Sequence, residues 1–292
     1  MSHIIQTKKL TKKFGHKFAV KNLSIAIEPG EVYGFLGPNG AGKTTTIRMI
    51  MDFIRPTSGE VRLFGKPISE IGHAVFENIG YLSSDSTLYS NWTASQHLKY
   101  MEKIRGNSEK TDDLIKQFGL ELNVKVHRLS SGNKQKLKLI MALMHSPKLL
   151  VMDEPTRGLD PILQNDIHDI LKKLSKEGSA VFMSSHDMNE VEQVCDRVGI
   201  IKEGEIVTSQ ALSDLRELNI HVVKVVFGGK FDLERYSTIP NVEIKKTTKH
   251  ELIINVKGDL NPFLYQLGKS GSVKDIDIYH SSLEDVFMRY YK

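Results

Sequence analysis

Apolar and polar positions change their spacing several times along the chain, and each change marks an element. Ala19-Val20-Lys21-Asn22-Leu23-Ser24-Ile25-Ala26-Ile27 alternates in its second half. With the preceding segment it predicts antiparallel β structure over residues 3–30, turned by Pro29-Gly30. Val32-Tyr33-Gly34-Phe35-Leu36 is an unbroken apolar run suited to a buried strand, and Thr45-Thr46-Ile47-Arg48-Met49-Ile50 continues as a helix. A turn at Pro56-Thr57-Ser58-Gly59 leads into a strand at Val61–Phe64. From about residue 90 to 146, apolar residues recur at three- and four-residue intervals, which predicts helices. Leu149–Met152 and Ser179–Ser184 are further buried strands, joined by a helix that opens at Pro161 and stops at Gly178. Strands alternating with helices predict an α/β fold with a mainly parallel sheet.

The pattern shifts after Leu212. Val222–Phe227, Val242–Ile244, Leu252–Val256 and Ile276–Tyr279 read as short strands, with a brief helix near Pro262–Leu267. This predicts a small α+β unit of ferredoxin-like kind, so that residues 1–215 form one domain and 216–292 a second, dimerising or regulatory one. A length of 292 residues accommodates one large domain and a smaller one.

Composition adds exclusions more than assignments. No apolar stretch reaches the roughly 18 residues of a bilayer span, and the N-terminal segment lacks the apolar core of a signal peptide. The single cysteine, Cys195, excludes an internal disulfide, fits a reducing cytosol and reads as a small buried filler. A net charge of +5 is mild. Lys134, Lys136 and Lys138 alternate, so they form no single helical stripe and are expected on a solvated surface; no nucleic acid partner is expected.

Chemistry concentrates in four places. Gly37-Pro38-Asn39-Gly40-Ala41-Gly42-Lys43-Thr44 fits the phosphate-loop pattern without substitution, between a strand and a helix that continues at Thr45. Its glycines let backbone N–H groups curl around phosphate oxygens, Lys43 adds a cation for the terminal phosphates, and the Thr44 hydroxyl is placed for magnesium. These residues predict nucleoside triphosphate binding. Leu149–Met152 ends in Asp153 and Glu154: the first is suited to orient magnesium, the second to polarise an attacking water. Ser184-Ser185-His186-Asp187 closes a neighbouring strand and makes His186 a γ-phosphate contact. Leu129-Ser130-Ser131-Gly132-Asn133 opens a helix, either with Ser130 as a simple N-cap or as a second anion site.

In this order the segments resemble the nucleotide-binding subunit of ATP-binding-cassette (ABC) transporters over residues 3–215. Gly37–Thr44 resembles Walker A, Leu129–Asn133 the LSGGQ signature, and Leu150–Glu154 Walker B with the catalytic glutamate. Gly158-Leu159-Asp160 is similar to the D-loop and His186 to the switch histidine. The resemblance implies a P-loop NTPase (RecA-like) core with an antiparallel β subdomain and a helical subdomain at about 90–146. It implies ATP with Mg2+ bound between two subunits of a head-to-tail homodimer. Lys43, Glu154, His186 and Asp160 would serve catalysis. Phe14 matches the aromatic that stacks on adenine, while Ser130 and Gly132 keep the phosphate-facing positions of the signature although Ser131 and Asn133 depart from it. In Ile79-Gly80-Tyr81-Leu82-Ser83-Ser84-Asp85, Ser84 stands where the family usually has a magnesium-linked Gln or Glu, with Asp85 or a water as the alternative.

Ser282-Leu283-Glu284-Asp285-Val286-Phe287 resembles a box of the ABC-2-type exporter branch, which includes drug, antimicrobial-peptide and sodium efflux systems. The resemblance thus implies an ATPase at the cytoplasmic face of the membrane, peripheral, driving export through a separate integral membrane permease. The competing classes are a non-transport ABC ATPase and a regulatory nucleotide-binding module. The absence of a sustained heptad between Ser90 and Ser146 argues against a repair ATPase, and the presence of Glu154 and His186 against a regulatory module.

Overall fold

The computed structural model describes residues 3–106, 110–217, 220–270 and 272–280, and its chain divides into two compact units at Leu212/Ser213. The exporter-like box at Ser282–Phe287 lies outside the described residues.

The first unit is built on a six-stranded sheet. Its order is Glu205–Ala211, Arg197–Lys202, Val32–Leu36, Ala180–Ser185, Leu149–Asp153, Ile79–Leu82, and all neighbours are parallel except the Glu205–Ala211 edge. Every residue of the strands at 32–36, 149–153 and 180–185 is buried. Parallel strands covered on both faces read as continuous apolar runs, which is why these segments lack alternation. A second, antiparallel sheet is formed by Lys17–Leu23, Ile5–Phe14, Ser58–Leu63 and Lys66–Pro67, with Ala26–Ile27 also paired to Ile5–Phe14. The strand begins at Ser58, inside the segment that reads as a turn in sequence. Gly59 makes this possible: its φ is +87° and a side chain there would stand 2.4 Å from the Lys9 carbonyl oxygen.

One core joins the two sheets, with Ile5, Leu23 and Leu63 from the antiparallel sheet meeting Phe35, Val151 and Phe182 from the parallel one. Phe182 lies between Tyr33 and Phe35, ring centroids 5.9 and 5.4 Å away. Truncating such a ring costs about 3–5 kcal/mol, so the strands that carry the site stand on a stiff platform. Cys195 is also buried, and that burial pushes its thiol well above the ordinary range.

The helical region comprises Ala94–Arg105, Lys110–Phe118 and Ser131–Leu143. Thr93 opens the first of these with a reciprocal capping box, its hydroxyl accepting from the Gln96 N–H while the Gln96 side chain accepts from the Thr93 N–H. Lys138, expected in solvent, is half-buried, and desolvation lowers its ammonium pKa.

The second unit is a four-stranded antiparallel sheet ordered Val242–Thr247, Glu251–Lys257, Ile220–Phe227, Val273–His280, with helices at Glu234–Ser237 and Asn261–Gly268. In chain order this is strand, helix, strand, strand, helix, strand, with the two central strands first and third, as in a split βαβ arrangement. Val223, Val225, Phe227, Ile254, Tyr236 and Phe263 form its own core.

Candidate active site

The parallel sheet brings four carboxyl-terminal strand ends side by side. Leu36 runs into the phosphate loop, Ser185 into His186, Asp153 into Glu154, and Leu82 into Ser83-Ser84-Asp85. Crevices at this edge are where open α/β sheets place their ligands. A cleft of about 280 Å³ opens there, lined by Ala19, Pro38, Asn39, Gly40, Gly42, Lys43, Thr44, Thr45, Ser84, Asp85, Asp153, Glu154 and Arg157.

The phosphate loop is fixed by close approaches. Gly42 caps the helix Lys43–Ile50 in the left-handed region, with φ 111°, and its carbonyl accepts both the N–H and the hydroxyl of Thr46. A side chain on Gly37 would stand 2.5 Å from the Ile201 carbonyl oxygen. Lys43 is buried; its Nζ donates to the Gly37 carbonyl at 2.6 Å and lies 3.5 Å from Glu154 Oε1.

Asp153 is the convergence point. It is 1% exposed, and three hydroxyls donate to it: Thr44 at 2.8 Å and Ser84 at 3.2 Å to Oδ2, and Ser184 at 2.6 Å to Oδ1. The hydroxyls come from the first turn of the helix Lys43–Ile50, the loop after Ile79–Leu82 and the end of Ala180–Ser185, and lie 109, 69 and 31 residues away in sequence. Asp85, the alternative to Ser84, instead pairs with Arg48 at 3.1 Å on the exposed rim. Among the described residues no group of three His, Cys, Asp or Glu could hold a metal by itself.

Glu154 follows in a strained left-handed conformation, φ 49°, held by its N–H donating to the Ser184 carbonyl and hydroxyl oxygens. Besides Lys43, its carboxylate faces Arg157 and His186, each 3.4 Å from Oε2. That oxygen is enclosed and accepts no hydrogen bond among the described residues. A buried carboxylate oxygen kept near a guanidinium but without a hydrogen bond is available to polarise another donor, such as a water.

The remaining candidates lie elsewhere. Phe14, 55% exposed, sits at the end of the Ile5–Phe14 strand with the Lys12 ammonium 5.2 Å from its ring centroid. Ser130 caps the helix Ser131–Leu143 by accepting from the Asn133 N–H at 3.2 Å, and Gly132 occupies the first turn. Asp160 caps Pro161–Lys176 through the Leu163 N–H at 3.0 Å. None of these four lines the cleft. The sequence reading missed Ser184 and Arg157 as site residues. Ser184 was visible only as a small polar residue at the end of an apolar run, and its role depends on strand neighbours no local pattern shows.

Comparison with known proteins agrees with this geometry. The family described as ABC transporter matches residues 20–157. The bacitracin transport ATP-binding protein of Bacillus licheniformis is 36% identical over 99% of this chain and 97% of its own. The linearmycin resistance ATP-binding protein of Bacillus subtilis is 36% identical over 73% of this chain and 70% of its own. Among solved structures, a dimeric ATP-binding cassette in a post-hydrolysis state bound to ADP and Pi superposes with a TM-score of 0.65. It is 27% identical and covers 71% of this chain and 98% of that one. With a phosphate loop, an acid pair and a signature-like helix on a cassette fold, this chain belongs to the ABC transporter family as one of its ATP-binding proteins.

Proposed function

We propose that this chain is the ATP-hydrolysing subunit of an exporter, acting as a homodimer beneath a separate membrane permease on the cytoplasmic face. The observation that carries the chemical part is the placing of Lys43, Asp153 and Glu154 around one cleft, with His186 3.4 Å from the Glu154 carboxylate. Export of an antimicrobial or hydrophobic compound is supported by end-to-end similarity to a bacitracin transport protein. The dimer is supported by the dimeric relative. No helix among the described residues is long and apolar enough to cross a membrane; in this reading the path for cargo belongs to the permease.

In this reading Lys43 and the loop N–H groups hold the terminal phosphates, and Glu154 orients and polarises the attacking water. His186 contacts the γ-phosphate, and Phe14 stacks on the base. The hydroxyls of Thr44 and Ser84 around the Asp153 carboxylate make an all-oxygen cluster with one acid, a donor set that fits Mg2+ completed by phosphate oxygens. The ion would supply charge neutralisation between phosphates. Ser130 and Gly132 face the phosphates of the partner's nucleotide, and Asp160 lies at the junction between subunits. The second unit supplies no catalytic group and acts through contacts, either dimerising or regulatory.

Glu154→Gln tests the assignment. Replacing the acceptor by an amide should lower turnover by about 10²–10⁴-fold while ATP affinity holds, with the dimer trapped on ATP. Turnover near the parent rate would sink it. Cells carrying this chain with its co-purifying permease should lose resistance to the exported compound with the same substitution.

A further inference from the structure

Glu190 is a buried charge that the hydrolysis scheme leaves unused. It lies in the first turn of the helix Met188–Val194, just past His186. Its two carboxylate oxygens have separate partners: Thr156 Oγ1 donates to Oε1 at 2.6 Å, and Ser185 Oγ donates to Oε2 at 2.5 Å. Thr156 belongs to the turn that follows Glu154, and Ser185 immediately precedes His186. The Ser185 hydroxyl also accepts from the Asp187 N–H at 2.9 Å, which folds the His186 segment back onto its own strand.

The bracket begins where the sheet stops. Pairing between the two strands ends at Asp153 opposite Ser184, so Glu154 and His186 both lie beyond the ladder. Past that point the Glu190 carboxylate spans the two turns, and all three side chains are enclosed. Burial pushes the Glu190 carboxyl above its ordinary range, opposed by the Ser185 and Thr156 hydroxyls. For stability alone, an apolar side chain of similar volume would serve a buried site at least as well as a charge. A carboxylate with a hydroxyl on each oxygen adds fixed distances between two segments.

We propose that Glu190 is a positioning residue for hydrolysis, its bracket to Thr156 and Ser185 setting the separation of Glu154 and His186. The inference rests on the reading that Glu154 and His186 carry hydrolysis, so Glu154→Gln is measured beside it. The experiment compares ATP affinity and steady-state hydrolysis of the full chain in Thr156→Val, Glu190→Gln and Glu190→Ala. Lys43 and the phosphate loop are untouched, so affinity should stay within about twofold of the parent. Turnover should fall about a hundredfold in Glu190→Ala, the scale of a 1 Å misplacement, and about tenfold in Thr156→Val. Glu190→Gln, which keeps the shape and one acceptor oxygen, should recover part of the loss. The double variant Thr156→Val/Glu190→Ala should be no slower than Glu190→Ala alone, because both remove one bracket. If Glu190→Ala does not fold, the near-isosteric Thr156→Val decides. Parent-like turnover in Thr156→Val and Glu190→Gln would overturn the proposal, as would affinity and turnover falling together. Parent-like hydrolysis in Glu154→Gln would instead overturn the reading of the site; an inactive Glu154→Gln beside parent-like Glu190 and Thr156 variants would overturn the positioning role alone.

Discussion

Gly42 and Gly132 both open a helix at a phosphate-binding candidate, yet the chain treats them oppositely. Gly42 is forced by the subunit itself: its φ is 111°, and an added Cβ would meet the Ala19 carbonyl oxygen at 2.4 Å. Gly132 has no positive φ, and an added Cβ would meet Leu163 Cδ2 at 3.5 Å and Ser130 Oγ at 4.0 Å, both ordinary contacts. In a helix, Ala is favoured over Gly by about 1 kcal/mol, so nothing within one subunit asks for glycine at 132. The contrast extends to the neighbours. Next to Gly42, Lys43 donates to the Gly37 carbonyl and Thr44 to Asp153 at the end of a strand 109 residues away, whereas Ser130 beside Gly132 caps its own helix. One half of the proposed site is assembled within this chain, and in the proposed dimer the other half would act against a second chain.

Gly42→Ala should have the largest effect. Left-handed strain and a backbone clash together cost about 3 kcal/mol or more, visible as a lowered thermal midpoint together with lost ATP binding. Parent-like stability would show that the loop tolerates a side chain and would remove the contrast.

Gly132→Ala should behave in the opposite way. Its unfolding free energy should stay within about 1 kcal/mol of the parent or rise. ATP affinity of the single subunit should hold, while hydrolysis by the dimer falls about tenfold, since a methyl group would stand where backbone N–H groups meet phosphate. Destabilisation as large as that of Gly42→Ala would break the comparison.

The smallest effect belongs to Ser130→Ala, which removes the cap to the Asn133 N–H and should cost about 1 kcal/mol of stability. Comparing this loss with its effect on hydrolysis separates capping from phosphate contact. If turnover drops no more than the stability loss explains, Ser130 is a cap and nothing else.

The core strands of the first unit were legible because both signals were local. Val32–Leu36, Leu149–Met152 and Ser179–Ser184 are apolar runs bounded by turns, and the residues that carry chemistry follow them directly. The same holds for the shift in pattern after Leu212. Less legible was Ser58–Leu63, where a Gly-containing turn signal hid the start of a strand, because Gly59 is needed for close packing against Lys9 and Leu10. Lys138 was misjudged because alternation in sequence says nothing about what packs beside a helix.

The sequence by itself determined the phosphate loop, the acid pair, the signature-like helix start and the alternation of strands and helices, since each is written within a few consecutive residues. Tertiary structure alone decided that Thr44, Ser84 and Ser184 share one carboxylate, that Arg157 faces Glu154, and that Glu190 brackets two turns. It also decided which glycine is obligatory, because Ala19 and Ile201 reach Gly42 and Gly37 from elsewhere in the chain. The reason is strand order: a parallel sheet places side by side strand ends far apart in sequence, and hydrogen bonds between them leave no periodic trace along the chain.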